Sequence, residues 1–265
     1  MPRPRNKPPK WLEAARARDS GEPGDWLSRA LSRAGVLPLP QAEAAIREGR
    51  VRLDARVQRE PLAPVTSTSR VEVDGQPVSL TWRTRVLMLH KPAGVVTHGR
   101  DPEGHGTVTD VLVAAMPNEL QRFGWHTVGR LDRDTTGLLL FTNDEKFVQH
   151  ATSPETHLAK RYVARVGVQV ADKKLEPLRV GVKIDDGELT RPAKAKPRGD
   201  DSVELTLFEG RFHQVKRMLN AVNLPTLALH REAVGKLELD VPERGCRELS
   251  DAEVREALGF EPREG

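Results

Sequence analysis

The apolar residues of this chain occur only in short runs, and this feature most constrains its fold. No window approaches the roughly 18 to 20 uncharged apolar residues that a membrane-spanning helix requires. Runs such as LLLF at residues 138–141 have instead the length and composition of buried strands. With 37% hydrophobic residues among 265 positions, the chain is expected to bury a core and to span no membrane.

Cysteine usage and the N-terminal residues restrict the expected compartment. The single cysteine, Cys246, excludes an internal disulfide framework and any zinc or iron–sulfur site built from several cysteines. The first ten residues, MPRPRNKPPK, are basic and rich in proline but contain no apolar segment, so they do not have the composition of a secretory signal. We therefore expect a cytoplasmic protein.

The positive charge of the chain is concentrated at its N-terminus. Lys and Arg (42) exceed Asp and Glu (38) by 4, and residues 1–20 alone contain six basic and two acidic residues, which also gives +4. Residues 1–24 are predicted to form a basic flexible arm before an otherwise neutral body. Such an arm is suited to contact with a polyanion such as nucleic acid. A disordered, solubilising tail has the same composition and is the alternative interpretation.

Residues 25–80 have the pattern of a small module in which two helices precede short strands. Asp25 is predicted to cap the first helix, and the second helix is predicted over 41–48 with Gly49 at its end. Alternating apolar residues then indicate strands, and the Asp-Gly pair at 74–75 is a hairpin signal between two of them.

From residue 81 to residue 265, longer strands and short helices follow one another irregularly. This order predicts an α+β domain with a mixed, largely antiparallel sheet rather than a doubly wound sheet. Strand-like segments are 86–89, 138–142, 162–170, 203–208 and 226–239. Helix-like segments are 144–151, 172–178, 212–222 and 250–258. The last helix is predicted to begin with a capping box formed by Ser250 and Glu253.

The first module carries an excess of arginine. Arg29 and Arg33 lie four residues apart and share a helix face, Arg47 lies near the end of the second helix, and Arg50 follows that helix. Guanidinium groups on a rigid surface match the phosphate oxygens of structured RNA, so these four side chains are predicted to contact RNA. A solvated charged surface is the alternative.

The order of these features is similar to that of the S4 RNA-binding domain. The segment WLSRALSRAGVLPLPQAEAAIREGRVRLDARVQREPLAPV, continued by VEVDG, has the basic first helix, the second helix ended by glycine, and the short strands of that domain. The resemblance covers about residues 25–75 and implies a small RNA-binding domain of the αL type. Where the family often has Ser-Arg-Arg before the second helix, this chain has Leu-Pro-Leu-Pro at 37–40.

Candidate catalytic side chains are most concentrated in GRLDRDTTGLLLFTND, residues 129–144. Asp132 and Asp134 lie on a turn before an apolar strand, where Asp132 can project from the rim of a sheet. Two such carboxylates can form an acid/base pair, bind Mg²⁺ or belong to a salt-bridged turn. The neighbouring Arg130 and Arg133 disfavour a bound cation and favour an ionised aspartate that acts as a nucleophile or stabilises charge.

The same segment resembles the signature of the RsuA/RluB/RluE/RluF group of pseudouridine synthases, which isomerise uridine in ribosomal RNA. Four further segments match this family: HKPAGVVT, SPETHLAKRYVARV, EGRFHQVKRML and LHREAVGKLELD. The resemblance extends over nearly all of residues 85–260. It implies a pseudouridine synthase catalytic domain over 81–265, preceded by an S4 domain over 25–80.

The resemblance also implies the roles of individual residues. The family's catalytic aspartate corresponds to Asp132, its active-site tyrosine to Tyr162, and its basic pocket residue to Lys216. Asp132 is then expected to act near C1′ of the uridine, Tyr162 to stack on the displaced uracil, and Lys216 to hold Asp132 ionised. Four further residues are expected to contact the phosphates that flank the target: Arg130, Arg211, His213 and Arg217.

This reaction breaks the glycosidic bond, turns the base and rejoins it through C5, so no cofactor and no metal ion are expected. The expected partner is ribosomal RNA or a ribosomal assembly intermediate, bound by a monomer. The late motifs look closest to the small-subunit (16S) branch, whereas DPEGHGTV is similar to the large-subunit (23S) branch. A non-catalytic assembly factor and a metal-dependent RNA hydrolase are alternatives. The first predicts loss of a catalytic residue, and the second requires further carboxylates.

Overall fold

The computed structural model describes residues 25–66, 68–97, 104, 106–156 and 158–264, and the predicted basic arm at 1–24 lies outside them. The chain divides into two compact units. Among the described residues, the first unit contains those from Asp25 to Arg83 together with Asn118–Gly124, and the second contains those of Thr84–Pro117 and Trp125–Glu264.

In its described part, the first unit consists of two helices and two small antiparallel sheets. Its helices are α1 (Leu27–Arg33) and α2 (Leu39–Glu48). Its strands are β1 (Asp25–Trp26), β2 (Val51–Leu53), β3 (Arg56–Gln58), β4 (Pro64–Val65), β5 (Val71–Val73) and β6 (Gln76–Val78). The larger sheet has the order β3-β2-β5-β6, and β1 pairs with β4. Leu27, Leu31, Ile46 and Val51 are fully buried in one cluster, so the unit has its own core.

Both predicted helices of this unit are confirmed, with shifted starts. The prediction that Asp25 caps α1 is wrong, because Asp25 lies in β1, where its carboxylate accepts a hydrogen bond from the Trp26 amide (2.8 Å) and pairs with Arg33. Helix α2 begins two residues earlier than predicted and contains Pro40 in its first turn. Proline is tolerated there because the backbone N–H groups of the first turn have no partner within the helix. Gly49 ends α2 with a φ of +79°.

The predicted Asp-Gly hairpin at 74–75 is also confirmed. Asp74 and Gly75 connect β5 to β6 with φ values of +51° and +78°. Two central residues with positive φ are typical of the turn whose twist matches that of the flanking strands.

Asn118–Gly124 belongs to the first unit although it is distant in sequence. The ring of Phe123 lies so close to Gly35 that an added Cβ there would be 2.5 Å from it, and the Gly124 amide donates to the Ser32 carbonyl oxygen at 3.1 Å. The predicted division between residues 80 and 81 does not assign this segment to the first module, because local sequence patterns carry no signal for such a return of the chain.

The described part of the second unit contains a mixed sheet of nine strands. These are β7 (Val86–Lys91), β8 (His126–Val128), β9 (Thr135–Thr142), β10 (Lys160–Arg165), β11 (Lys194–Arg198), β12 (Ser202–Leu207), β13 (Ala228–Val234), β14 (Leu237–Glu238) and β15 (Cys246–Glu248). The main order is β11-β12-β10-β13-β9-β7-β15, with β8 beside β9 and β14 beside β13. Only β9 and β13 pair in parallel, which confirms the predicted mixed, largely antiparallel sheet.

Five helices accompany this sheet in the described residues. They are α3 (Val108–Ala115), α4 (Glu145–Thr152), α5 (Glu176–Val180), α6 (Gln214–Ala221) and α7 (Asp251–Leu258). The predicted Ser250–Glu253 capping box of α7 is confirmed. Sequence analysis missed α3, which starts with a second capping box of Thr107 and Asp110. None of the helices that the structure describes is long and apolar enough to cross a membrane.

The parallel pair at the centre of the sheet depends on a glycine. Gly137 in β9 lies opposite Arg231 in β13, with a φ of +110°. A Cβ at Gly137 would lie 2.2 Å from the Arg231 carbonyl oxygen and 2.6 Å from its nitrogen, so only glycine permits this approach. The approach brings Arg231 and its neighbours on β13 against β9.

Candidate active site

Asp132 lies on the turn between β8 and β9, and hydrogen bonds from a buried lysine hold this turn in place. Lys91, at the end of β7, is fully buried and donates hydrogen bonds to the carbonyl oxygens of Arg133 (3.2 Å) and Thr135 (2.9 Å) as well as to that of Pro92 (2.9 Å). These contacts fix the backbone immediately after Asp132. A buried ammonium that satisfies three carbonyl oxygens is consistent with the rule that buried polar groups are hydrogen-bonded.

The backbone immediately before Asp132 is fixed as well. The Thr97 hydroxyl donates to the Leu131 carbonyl oxygen (2.6 Å), and the Leu131 amide lies 3.2 Å from the same hydroxyl. The Asp132 side chain is a quarter exposed and therefore reaches the surface from a rigid turn. Both anchors lie in the matched segment HKPAGVVT, but the sequence analysis predicted only the turn and assigned neither anchor a role.

The buried position of Lys91 allows a prediction about pH. Burial lowers the pKa of Lys91 from 10.5 to about 8, and the charges of Asp134 and Asp132 oppose this shift only in part. Between these pKa values the unfolded chain binds more protons than the folded one, so stability rises with pH, by up to about 1.4 kcal/mol per pH unit. We expect the free energy of unfolding of the wild type to rise with pH relative to that of Lys91→Met. Urea unfolding of both proteins between about pH 7 and 10 measures this difference, and parallel pH profiles would contradict the shifted pKa.

Two side chains at the start of α6 converge on Asp132. Nζ of Lys216 is 3.2 Å from Oδ2 of Asp132, and Nε2 of His213 is 3.2 Å from Oδ1. His213 adopts a left-handed conformation (φ +50°) directly before α6, and this conformation turns the chain so that both side chains approach the same carboxylate. The pairing of Lys216 with Asp132 that the resemblance implied is present.

The second carboxylate of the turn shares the same lysine. Oδ1 of Asp134 is 2.5 Å from Nζ of Lys216, and the Asp134 side chain is 73% exposed. Burial acts to raise the pKa of Asp134, but the hydrogen bond and charge of Lys216 hold it below the usual value. Burial likewise acts to lower the pKa of Lys216, and the two aspartates raise it above the usual value. The lysine thus stays charged and supplies a cation between the two carboxylates.

A cavity of about 510 Å³ opens beside Asp132. This volume lies within the range of about 300–1,000 Å³ that small-molecule sites occupy. Tyr162 lines the cavity from β10 and is buried, with 8% of its surface exposed. Arg130, Arg211 and His213 line it as well, so the cavity brings together five of the seven residues predicted for catalysis or for contact with the flanking phosphates. Lys216 and Arg217 do not line it.

Arg231 is a cavity residue to which sequence analysis assigned no role. It lies opposite Tyr162 in the β10–β13 register, is 97% buried, and its Nη1 is 3.5 Å from the Tyr162 hydroxyl. Its Nε donates to the Leu138 carbonyl oxygen at 2.7 Å, and this hydrogen bond holds the guanidinium beside the Tyr162 hydroxyl. The arginine lies within the recognised motif LHREAVGKLELD. Its position two residues from the apolar Leu229 and Ala233, on the same face of a strand, is the signal that could have indicated burial.

Lys160 lines the cavity on the same strand face as Tyr162, two residues earlier. Its Nζ is 3.2 Å from the Leu158 carbonyl oxygen. Burial, together with the charge of Arg231, lowers the pKa of Lys160 from 10.5 to about 8. The cavity therefore contains an amine whose pKa lies well below that of an ordinary lysine, which the sequence did not reveal.

The arginines predicted to contact substrate phosphates differ in their environments. Arg130 is exposed at the cavity, whereas Arg211 also donates to the Leu189 carbonyl oxygen at 3.0 Å. Arg217 does not line the cavity, because its guanidinium pairs with Asp185 and Asp186. Arg217 also donates to the Phe212 carbonyl oxygen at 3.2 Å, so it fixes the backbone before α6. The structure gives no support to its predicted phosphate contact.

The predicted RNA contacts of the first unit are largely engaged in ion pairs. Arg33 pairs with Asp25 and lies 4.5 Å from the centre of the Trp82 ring. Two others also have acidic partners: Arg47 with Glu43 at 2.9 Å, and Arg50 with Asp74 at 2.6 Å. Arg29 is exposed on α1. Exposed pairs contribute only about 0–1 kcal/mol each, so they can exchange for phosphate contacts.

Comparison with known proteins places these features in a family. The family model described as RNA pseudouridylate synthase matches residues 85–221. A ribosomal large subunit pseudouridine synthase B of Bacillus subtilis is 35% identical over 86% of this chain and 93% of its own length. A ribosomal small subunit pseudouridine synthase A of Pseudomonas aeruginosa is 35% identical over 86% and 98%, and one of Escherichia coli is 38% identical over 74% and 82%.

A solved structure supports the same assignment. The crystal structure of a pseudouridylate synthase superimposes with a TM-score of 0.60 and 28% identity, and covers 88% of this chain and 99% of the other. The fold and the site define an enzyme that isomerises uridine in RNA. The chain belongs to the RNA pseudouridylate synthase family.

Proposed function

We propose that this enzyme converts a uridine of ribosomal RNA to pseudouridine, and that the small-subunit (16S) rRNA is its substrate. The observation that carries the proposal is the Asp132 carboxylate, held by Lys216 and His213 beside a cavity lined by Tyr162. Relatives named for small-subunit synthases match over most of their length, which supports the choice of RNA. This substrate is consistent with a cytoplasmic location.

Asp132 is proposed to act at the sugar of a uridine that has left its stack. The carboxylate either attacks C1′ or assists removal of the 2′ proton with formation of a glycal. In the first route an Asp132–C1′ bond forms as the N1–C1′ bond breaks, and it breaks again when the turned uracil forms the C5–C1′ bond. In the second route the N1–C1′ bond breaks as the 2′ proton leaves, and that proton returns to C2′ when the C5–C1′ bond forms. In both routes C5 finally loses its proton and N1 gains one. Lys216 and His213 hold the carboxylate in place for this step, so that little reorganisation is needed.

Tyr162 is proposed to stack on the displaced uracil while Arg231 fixes the position of the phenol. The tyrosine ring is buried on a strand and its hydroxyl lies beside a guanidinium that is itself bonded to the backbone. A rigid aromatic face of this kind can hold a planar base while the base rotates. Asp132 and Tyr162 line the cavity, and Lys216 contacts Asp132 from α6. The presence of all three implied catalytic residues at one site favours an enzyme over a non-catalytic assembly factor.

We propose that residues 25–80 act as an S4 domain and, with the basic sequence at 1–24, supply part of the affinity for RNA. Exposed Arg29 and the ion-paired arginines of this module offer guanidinium groups to phosphates. Phosphate contacts release counterions, so this affinity is expected to fall steeply with salt.

A large-subunit (23S) substrate is the second candidate. It is favoured by the Bacillus subtilis relative, which is named for that subunit and matches over 93% of its length. The two candidates share the same chemistry and differ only in the RNA surface that is recognised.

Mapping of pseudouridines in rRNA from cells with and without the gene tests the proposal. We expect one 16S position to lose its pseudouridine in the deletion strain and to regain it with the wild-type gene, but not with Asp132→Asn. Loss of a 23S position instead would establish the second candidate. Unchanged maps in both rRNAs would contradict the enzymatic role in ribosomal RNA. Purified enzyme with naked 16S rRNA and with assembly intermediates would then identify the form that is modified.

A further inference from the structure

Phe212 is unusual among the aromatic residues of the described chain. It is 71% exposed, and it is the one described Phe, Tyr or Trp residue that lies largely in solvent. Burial of a Phe side chain stabilises a protein by about 1.5–3 kcal/mol, so an exposed one forgoes that contribution. Phe212 also lines the cavity that contains Asp132, so this exposed ring lies where substrate RNA must enter.

The Phe212 ring is held in a fixed position. It stacks on the His213 imidazole, with ring centres 3.7 Å apart and planes 21° from parallel. The imidazole in turn contacts Asp132, and Nη1 of Arg217 donates to the Phe212 carbonyl oxygen at 3.2 Å. Because Arg217 is itself held by Asp185 and Asp186, the backbone at this position is clamped. The ring therefore needs little ordering when a ligand binds.

Stacking on His213 covers one face of the ring, and its high exposure places the rest of the side chain in solvent. A flat, apolar, pre-ordered surface beside a catalytic carboxylate fits another flat π-system. In an RNA-modifying enzyme, the nearest such group is the base next to the uridine that enters the cavity. Base–aromatic stacking contributes about 1–3 kcal/mol per base.

We propose that Phe212 stacks on the nucleobase adjacent to the target uridine. The contact would keep the flanking base in place while the uridine occupies the cavity beside Asp132. It depends on the family's RNA substrate and not on which rRNA is modified. A protein partner that covers Phe212 is the alternative occupant of this surface.

Substitutions that separate stacking from apolar packing test the proposal. Phe212→Ala and Phe212→Leu remove the aromatic face, whereas Phe212→Tyr keeps it. With rRNA labelled at [5-³H]uridine, tritium release follows the loss of the C5 hydrogen. We expect kcat/KM to fall about 5- to 150-fold for Ala and Leu, mainly through KM, and to stay within about threefold for Tyr. Val180→Ala is the control, since Val180 is 70% exposed and does not line the cavity.

A binding measurement keeps this test separate from the choice of rRNA. A short single-stranded RNA carries 2-aminopurine beside its one uridine, and stacking quenches the fluorescence of that base. We expect quenching with the wild type and Phe212→Tyr and much weaker quenching with Phe212→Leu. Equal quenching or equal kcat/KM for Leu and wild type would overturn the proposal. Absence of tritium release by the wild type from both labelled rRNA and labelled assembly intermediates would refute the proposed rRNA function, while the quenching result would still decide on Phe212.

Discussion

Asp132→Asn is expected to abolish turnover while RNA affinity stays within about tenfold, or about 1.4 kcal/mol, of the wild-type value. Lys216 and His213 lie 3.2 Å from different oxygens of the Asp132 carboxylate. Asparagine has nearly the same shape, and its single amide oxygen can still accept a hydrogen bond from one of these two side chains. The neutral amide cannot attack C1′ or remove a proton. Tritium release from [5-³H]uridine-labelled rRNA measures turnover, and filter binding of the same RNA measures affinity.

Asp134→Asn is the matched control for this substitution. Asp134 has the shorter contact with Lys216 (2.5 Å), but its side chain is 73% exposed and does not line the cavity. We expect most of the turnover to remain in this variant. Multiple turnover by purified Asp132→Asn would show that the carboxylate is not catalytic. An Asp134 variant as inactive as the Asp132 variant would show that both carboxylates take part.

The charges around the cavity explain how a polyanion can approach an aspartate. Asp132 and Asp134 carry two negative charges on one turn, and Lys216 offsets one of them at close range. Arg130 adds positive charge at the cavity itself, whereas the charge of Arg211 is partly offset by the Glu209 carboxylate at 3.5 Å. We therefore propose that an RNA phosphate contacts a guanidinium at the cavity, which would bring the sugar of the target uridine towards Asp132.

Local sequence patterns predicted the elements that have a local cause. The Ser250–Glu253 capping box and the glycine at the end of α2 depend on residues a few positions apart, and both are confirmed. Helix α3 was missed because the run VLVAAM that contains its second half also fits a buried strand. Asp25 was misassigned because it lies in β1, and β1 pairs with β4, whose residues are about forty positions away in the sequence.

In the candidate site, too, residues in local motifs could be predicted, whereas residues that act through distant contacts could not. Asp132, Tyr162 and Lys216 could be named from motifs, and the contact between Lys216 and Asp132 follows from them. The anchors Lys91 and Arg231 could not be named, because each acts by binding backbone carbonyl oxygens of β9 or of the turn before it. Such contacts depend on the order of strands in the sheet, which no local pattern encodes.

Gly137→Ala is expected to lower the free energy of unfolding by about 4 kcal/mol or more, a size that only severe core or backbone changes reach. The new Cβ would lie 2.2 Å from the Arg231 carbonyl oxygen and 2.6 Å from its nitrogen, and both are backbone atoms that cannot rotate away. The parallel strands β9 and β13 would have to separate at the centre of the sheet. Arg231 would then leave the Leu138 carbonyl oxygen and Tyr162, so activity is expected to fall with stability.

Gly187→Ala separates the steric clash from the cost of a left-handed residue. Gly187 has a φ of +82°, and a Cβ there would meet no atom within 4 Å. This control is expected to cost only about 1–2 kcal/mol, the usual penalty for a side chain in that conformation. Urea unfolding of both variants gives the comparison, with soluble yield as the measure if Gly137→Ala does not fold. Equal losses in the two variants would show that β9 and β13 can move apart without cost, and that the close approach at Gly137 does not hold the active site together.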